Sequence, residues 1–282
     1  MIWTRKRRTD ATDQPRSQRW SEEAAFFDQT AGQHAADVVP IDPLAVRRYS
    51  SPRLRRRFNK EFRFRLAGRL NGREVLDVGC GEGADSILLA KLGARVTGVD
   101  ISSRSIEIAK TRAGISKVGE SVRFVQSPLE TAQFSDNSFD VVWCNAILHH
   151  VIPELDVVMD RLARWARPGA LLLFTEPISY SRALRRIRSL IPVRTETTPG
   201  ERPLEETEIK TVKRYVPDLK IRHFSLLGRL DRFILLDHNF ERSPFWRRLL
   251  CHLVSTVDYF LLSLPGFAKL AGQAVMYGHP KK

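Results

Sequence analysis

Cysteine is scarce in this chain of 282 residues: Cys80, Cys144 and Cys251 stand far apart and form no CxxC pair. That spacing excludes a disulfide framework and a thiolate zinc site, and it fits a reducing, cytoplasmic compartment. The charged start MIWTRKRRTDATDQPRSQRW has no apolar run behind it, so a secretory signal is absent and residues 1–20 read as a disordered basic tail. Long hydrophobic runs are missing too. The best, within WRRLLCHLVSTVDYFLLSLPGF, is broken by His252 and Asp258 and stopped by Pro265, short of the roughly 20 clean apolar residues a membrane span needs. Acids are in deficit, 32 against 46 lysines and arginines, for a net charge of +14. Such a surface attracts nucleic acid, anionic lipid or an acidic small molecule without choosing among them.

What is present begins at residue 73, where short apolar runs alternate with amphipathic ones. REVLDV (73–78) and ARVTGV (94–99) flank GADSILLAKLG, whose spacing suits a helix ending at Gly93. A helix over 103–112, strands SVRFVQ and FDVVWCN (139–145), a helix near 154–166 stopped by RPG, and strand ALLLFTE (170–176) follow. This alternation predicts an α/β fold with a largely parallel sheet and helices on both faces. Residues 21–72 read as an N-terminal helical extension, and 73–282 as the main domain. After Glu176 an excursion over 177–208 departs from the pattern, a helix near 204–215 and strand KIRHFSLLG (220–228) resume it, and GQAVMYG (272–278) makes the last strand. Between the last two strands, residues 229–268 read as a helical insertion.

The stretch VLDVGCGEGADS (75–86) places glycines at 79, 81 and 83 on a strand-to-helix turn, with Asp77, Glu82 and Asp85 around it. A phosphate held on backbone N–H groups would be opposed by those acids. No Lys-Ser or Lys-Thr follows, and G-x-G-x-G departs from the dinucleotide spacing. The ligand near the turn therefore carries positive charge. S-adenosylmethionine fits, with an ammonium and a sulfonium at one end and a neutral ribose and adenine at the other. Asp77 serves the ammonium, the glycines let the backbone approach, and Asp100 at the end of the second strand accepts from the ribose hydroxyls.

VLDVGCGEG, VTGVDIS, DNSFDVVWCNAILHHV and LARWARPGALLLFTEP together resemble the class I S-adenosylmethionine-dependent methyltransferases, over about residues 73–176. The resemblance implies a seven-stranded Rossmann-like sheet with an antiparallel last strand. It implies cofactor contacts at Asp77, Gly79, Cys80, Gly81 and Asp100, with Ile101 packed on the adenine. Where relatives often carry an acid for the adenine amino group this chain has Pro128, which leaves the backbone N–H of Leu129. Asn145 lines the cofactor pocket in this reading.

NAILHHV (145–151) follows the fourth strand, beside the reacting centre. Methyl transfer is an in-line displacement that depends on proximity and dryness, and an oxygen nucleophile of high pKa needs a base. His150 or His149 is the candidate. The metal-assisted quinone O-methyltransferases place acids at the positions of Ala146 and His149; this chain has neither, so no metal is expected. Apolar residues mixed with arginines in 177–208 and 229–268 point to a small or lipid-like acceptor met at an anionic membrane surface, or to a helix pair buried in the domain or in a homo-oligomer. The alternatives are a nucleic-acid methyltransferase, which the missing NPPY-type tetrapeptide disfavours, and a non-catalytic scaffold on the cofactor fold that binds RNA or a partner.

Overall fold

The computed structural model describes residues 15–34, 38–50, 57–180, 201–235 and 240–281. Its centre is a seven-stranded sheet in the order β3-β2-β1-β4-β5-β7-β6. β1 (Glu74–Val78), β2 (Arg95–Asp100), β3 (Val122–Gln126), β4 (Phe139–Asn145) and β5 (Ala166–Pro177) run parallel. β7 (Gln273–Gly278) lies antiparallel to both β5 and β6 (Lys220–Phe224). Strand direction therefore reverses only at β7. The central strands are apolar on both faces because helices cover both: Val75, Leu76, Val78, Val141 and Val142 are completely buried.

α4 (Ala84–Lys91) and α5 (Ser103–Ile115) follow β1 and β2. α5 starts where the Ser102 hydroxyl accepts the N–H of Ser105 at 3.0 Å, an N-cap that fixes the chain's exit from β2. α6 (Leu155–Trp165) buries Leu155, Val158, Met159 and Leu162 at helical spacing against the sheet. α7 (Glu206–Tyr215) opens with a capping box between Glu205 and Glu208.

Two strand ends differ from the sequence reading by four residues each. β5 begins at Ala166 rather than 170, because a register shift between Phe139 and Val141 lets Ala166 pair with Phe139. β6 stops at Phe224 rather than 228. There Ser225 turns to φ 67°, and the Asp258 carboxylate accepts the N–H groups of Ser225, Leu227 and Gly228, which draws the chain out of the sheet. The insertion holds α8 (Asp231–Ile234) and α9 (Phe245–Leu261), so Asp258 fastens α9 to the end of β6.

Ahead of the sheet stand α1 (Arg16–His34), α2 (Pro43–Ser50) and α3 (Asn59–Ala67). α1 starts inside the segment expected as a tail; residues 1–14 lie outside the described residues. Of the excursion, 181–200 also lie outside them. Its two ends meet above the sheet's carboxyl edge, where the N–H of Ser179 donates to Leu204 O at 2.9 Å and that of Leu204 to Pro177 O at 2.9 Å.

Candidate active site

The turn after β1 is fixed by its backbone. Gly79, Gly81 and Gly83 take φ of 65°, 49° and 78°, a region that L side chains enter at a cost. Gly79 and Cys80 both donate to Val99 O, at 2.8 and 3.0 Å, which ties the turn to the end of β2. A Cβ on Gly79 would lie 1.9 Å from Cδ1 of Ile147, whereas one on Gly81 would meet nothing within 4 Å. The turn is thus packed beneath Gly79 and open above Gly81. Asp100 sits across that opening, with Oδ2 accepting Gly81 N–H at 2.8 Å and Oδ1 accepting Ser102 N–H at 2.9 Å. Burial raises its pKa against those hydrogen bonds, and each oxygen keeps a lone pair for a ligand hydroxyl.

The acids around the turn are not equivalent. Asp85 accepts the indole N–H of Trp143 at 2.9 Å and pairs with Lys60 and Arg63 of α3 at 2.5 and 3.7 Å. Burial pulls the other way, but Lys60 and Arg63 hold its carboxyl well below the usual range. Glu82 pairs with Arg112 of α5 at 2.9 Å. Of these three acids, Asp77 has no ion pair among the described residues. It accepts the Ser86 hydroxyl at 2.6 Å, and burial, followed by the charge of Asp85, pushes its pKa up to about 7. The negative character inferred for the whole turn therefore belongs to Asp77, a carboxylate that an incoming ammonium would relieve.

Beyond β4 the chain turns sharply through Ala146, whose φ is 59° and whose N–H donates to Thr175 O at 2.7 Å. The next turn is organised by Glu176 of β5, fully buried. Its Oε1 accepts the N–H groups of Ile147 and Leu148 at 3.0 and 2.9 Å, and its Oε2 lies 2.8 Å from Nδ1 of His149. On the other side of that ring, Nε2 lies 2.7 Å from Oε1 of Glu201. Burial works to lower the His149 pKa, but the bonds to Glu176 and Glu201 prevail and raise it to about 9. His149 is therefore held protonated, which removes it as a base near neutrality. His150 differs: burial and then the charge of His149 depress its pKa, so it is neutral. Its Nδ1 faces Oε1 of Glu23 at 3.3 Å and its Nε2 faces Oε1 of Glu201 at 3.5 Å.

Glu23 belongs to α1, which roofs the cleft. Asp28 accepts from the Ser102 hydroxyl at 2.5 Å and the Arg104 N–H at 3.0 Å, Arg19 pairs with Glu154, and the Phe27 ring meets the His150 ring edge-on at 5.6 Å. Burial, then Glu130 and Asp100, push Glu23 up to about 7. One roof residue thus senses Asp100 at the end of β2 and lies 3.3 Å from Nδ1 of His150.

The structure brings together Asp77, Gly79, Cys80, Gly81, Asp100 and Ile101 at one edge of the cleft, and Asn145, His149 and His150 at the neighbouring strand end. Cys80 is buried and its thiol pushed up by burial, so its part in the turn is played by its backbone. Leu129 is buried in the apolar layer below β2 and β4, and the preceding Ser127 donates its N–H to Asp100 O at 2.9 Å. Glu23, Glu176 and Glu201 were not foreseen. Glu176 had one signal, an acid closing an otherwise apolar core strand; Glu201 and Glu23 had none.

The family described as "Methyltransferase domain" matches residues 76–174. Among curated proteins, the "Ubiquinone biosynthesis O-methyltransferase" of Bordetella avium is 39% identical over 111 residues, covering 39% of this chain and 45% of that protein. The protein of the same name in Bordetella bronchiseptica is 34% identical over 161 residues, 52% of this chain and 66% of its own length. The chain thus spans between 45% and 66% of these two relatives. Geranyl diphosphate C-methyltransferase from Streptomyces coelicolor A3(2) superimposes with a TM-score of 0.57 over 95% of this chain and 100% of that one, at 13% identity. That likeness is one of fold.

Proposed function

This chain belongs to the class I S-adenosylmethionine-dependent methyltransferases, and from that premise we propose that it methylates an oxygen of a small, lipid-like acceptor. The single observation that carries the reading is the opening above Gly81, faced by the Asp100 carboxylate, with the Asp77 carboxyl buried two residues before Gly79 and held by the Ser86 hydroxyl. These residues fit the cofactor. Asp77 suits its ammonium, Asp100 its ribose hydroxyls, and the Gly79–Gly81 backbone its amino-acid end; Ile101 and Leu129 suit the adenine. When bound, S-adenosylmethionine supplies a methyl group made electrophilic by the sulfonium.

The chain's own work is then positioning and dryness. Asn145 ends β4 beside the turn, and Ala146 to His150 bring the two imidazoles and Glu201 to the same edge. An acceptor hydroxyl set against this cluster loses its proton more readily, with neutral His150 as the group that has a lone pair to offer. α1 closes the roof. The relatives named for ubiquinone biosynthesis support an acceptor of quinone type, a ring hydroxyl on a lipid-soluble body.

α9 supports contact with a lipid surface. Its outward face carries Phe245, Trp246, Leu249, Leu253, Val257 and Phe260, and Phe245, Trp246 and Leu253 are 71%, 59% and 60% exposed. Its inward face buries Cys251, Ser255 and Asp258. No helix among the described residues is long and apolar enough to cross a membrane; the stripe suits a helix lying in the headgroup layer, with Arg247 and Arg248 beside it.

Calorimetric titration with S-adenosylmethionine and S-adenosylhomocysteine, followed by an acceptor screen on quinols and lipid extracts, tests the proposal. Binding lost in Asp100→Ala and methyl transfer to an extractable hydroxyl compound are expected. Cofactor binding with turnover only on RNA or DNA would overturn the acceptor class. No binding at all, combined with salt-sensitive RNA binding, would leave a scaffold.

A further inference from the structure

We propose that His149, His150 and Glu201 form a seat for one divalent transition-metal ion, zinc by preference. The inference concerns ion binding by these residues and does not depend on the methyl-transfer reading; only the ion's role there does.

The sequence argued against a metal because acids are missing at 146 and 149. The structure brings a different ligand set. Nε2 of His149 and Nε2 of His150 both face the same atom, Oε1 of Glu201, at 2.7 and 3.5 Å. Ligand atoms of the three residues lie within 4.8 Å of one another. Around an ion with bonds of about 2.0–2.1 Å, tetrahedral ligands stand about 3.3 Å apart. The His150–Glu201 separation is already close to that, and the His149–Glu201 separation reaches it by opening about 0.6 Å as the ion replaces the shared proton.

The independent observation lies behind the rings. Metal-binding imidazoles commonly give their second nitrogen to a carboxylate, which fixes the ring and strengthens it as a donor. His149 has that partner in Glu176 of β5, 2.8 Å from its Nδ1, whereas Nδ1 of His150 only faces Glu23 of α1 at 3.3 Å. His150 is nine-tenths buried, and its Nδ1 makes no hydrogen bond of good geometry. Two imidazoles turned toward one shared carboxylate, one of them backed by Glu176, is a donor set for zinc, cobalt or iron rather than for magnesium, which prefers oxygen ligands and retained water.

Three protein ligands leave a coordination position open. An acceptor hydroxyl taking that position would bind through oxygen and release its proton to solvent, so that the loaded site acidifies the oxygen through the ion and His150 serves as a ligand.

The test uses the full chain, stripped with chelator and checked for folding by circular dichroism. It is titrated calorimetrically with Zn2+ and with Mg2+, and loaded with Co2+ for its visible spectrum. The expected result is one Zn2+ per chain, the intense absorption of a four-coordinate Co2+ site, and affinity at least tenfold weaker in Glu201→Gln and in His150→Gln. Glu23→Gln is expected to weaken binding about tenfold by loosening the ring; it reads the site even where a ligand variant fails to fold. Zn2+ uptake unchanged in these variants would mean adventitious binding at other histidines and would overturn the proposal. So would the absence of stoichiometric uptake, or a preference for Mg2+. S-adenosylhomocysteine titrated separately distinguishes this failure from failure of the methyltransferase reading.

Discussion

Glu176 holds His149 from a position with no solvent exposure, and the same carboxylate fastens the backbone of the two preceding residues. A charge so placed is costly to leave unpaired, and removing one partner of a buried pair costs about 3–5 kcal/mol. Glu176→Gln should therefore destabilise the fold by about 3 kcal/mol in denaturant unfolding. A loss under about 1 kcal/mol would show that the turn after β4 stands without that charge.

Gly79→Ala meets two obstacles: a φ of 65° and Ile147 Cδ1 at 1.9 Å from the new Cβ. The left-handed conformation costs about 1–2 kcal/mol, and the clash adds to it. Affinity for S-adenosylhomocysteine should fall at least tenfold. Pairing the change with Ile147→Ala should recover part of the loss, because it removes the clash and leaves the backbone strain; no recovery would place the whole effect in the backbone.

Asp77 sets a pH dependence. Its pKa in the free protein, about 7 against an ordinary 3.8, means that the folded state holds a proton the unfolded state has lost. That contribution erodes stability as pH rises from about 4 to about 7 and then levels off. Binding a cation beside Asp77 favours the ionised form, so affinity for S-adenosylmethionine should rise with pH through 7. Asp85, Lys60, Arg63 and Ser86 face the same carboxyl, and Glu23 titrates in the same range; Asp77→Asn isolates the share due to Asp77. Calorimetry across pH 5.5–8.5 should give a flatter profile for that variant, and identical profiles would refute the assignment.

Trp246→Ser with Leu253→Ser removes two large apolar groups that lie outside the core. Burying each side chain is worth about 1.5–3 kcal/mol, so co-sedimentation with phosphatidylglycerol vesicles should drop well over tenfold while thermal unfolding stays unchanged. Equal binding by the variant would move the lipid contact away from α9.

The sheet was legible because its strands carry apolar runs bounded by Gly79, Gly93 and Gly169, and because the turn after β1 has few other uses. The charge of that turn was not: Lys60, Arg63 and Arg112, which neutralise Asp85 and Glu82, come from helices whose packing no local pattern reveals. The imidazole pair was visible as His149 and His150, yet the difference between them comes from partners far along the chain. Glu201 lies 52 residues beyond His149, and Glu23 reaches His150 from a helix that reads locally as an appendage. Asp258, which looked only like an interruption of an apolar run, turned out to be the fastener of α9.

The place of β7 has a consequence for the birth of the molecule. Of the seven strands it is synthesised last, yet it lies between β5 and β6 and supplies a neighbour for each. A chain emerging from the ribosome can pair β1 to β5 as they appear, but β6 waits without a neighbour until residues 273–278 arrive. Until then the apolar flank of β5, with Leu172 and Phe174, lies bare to chaperones and proteases. Nascent chains arrested before that segment should be cut quickly by protease and become resistant once it is free.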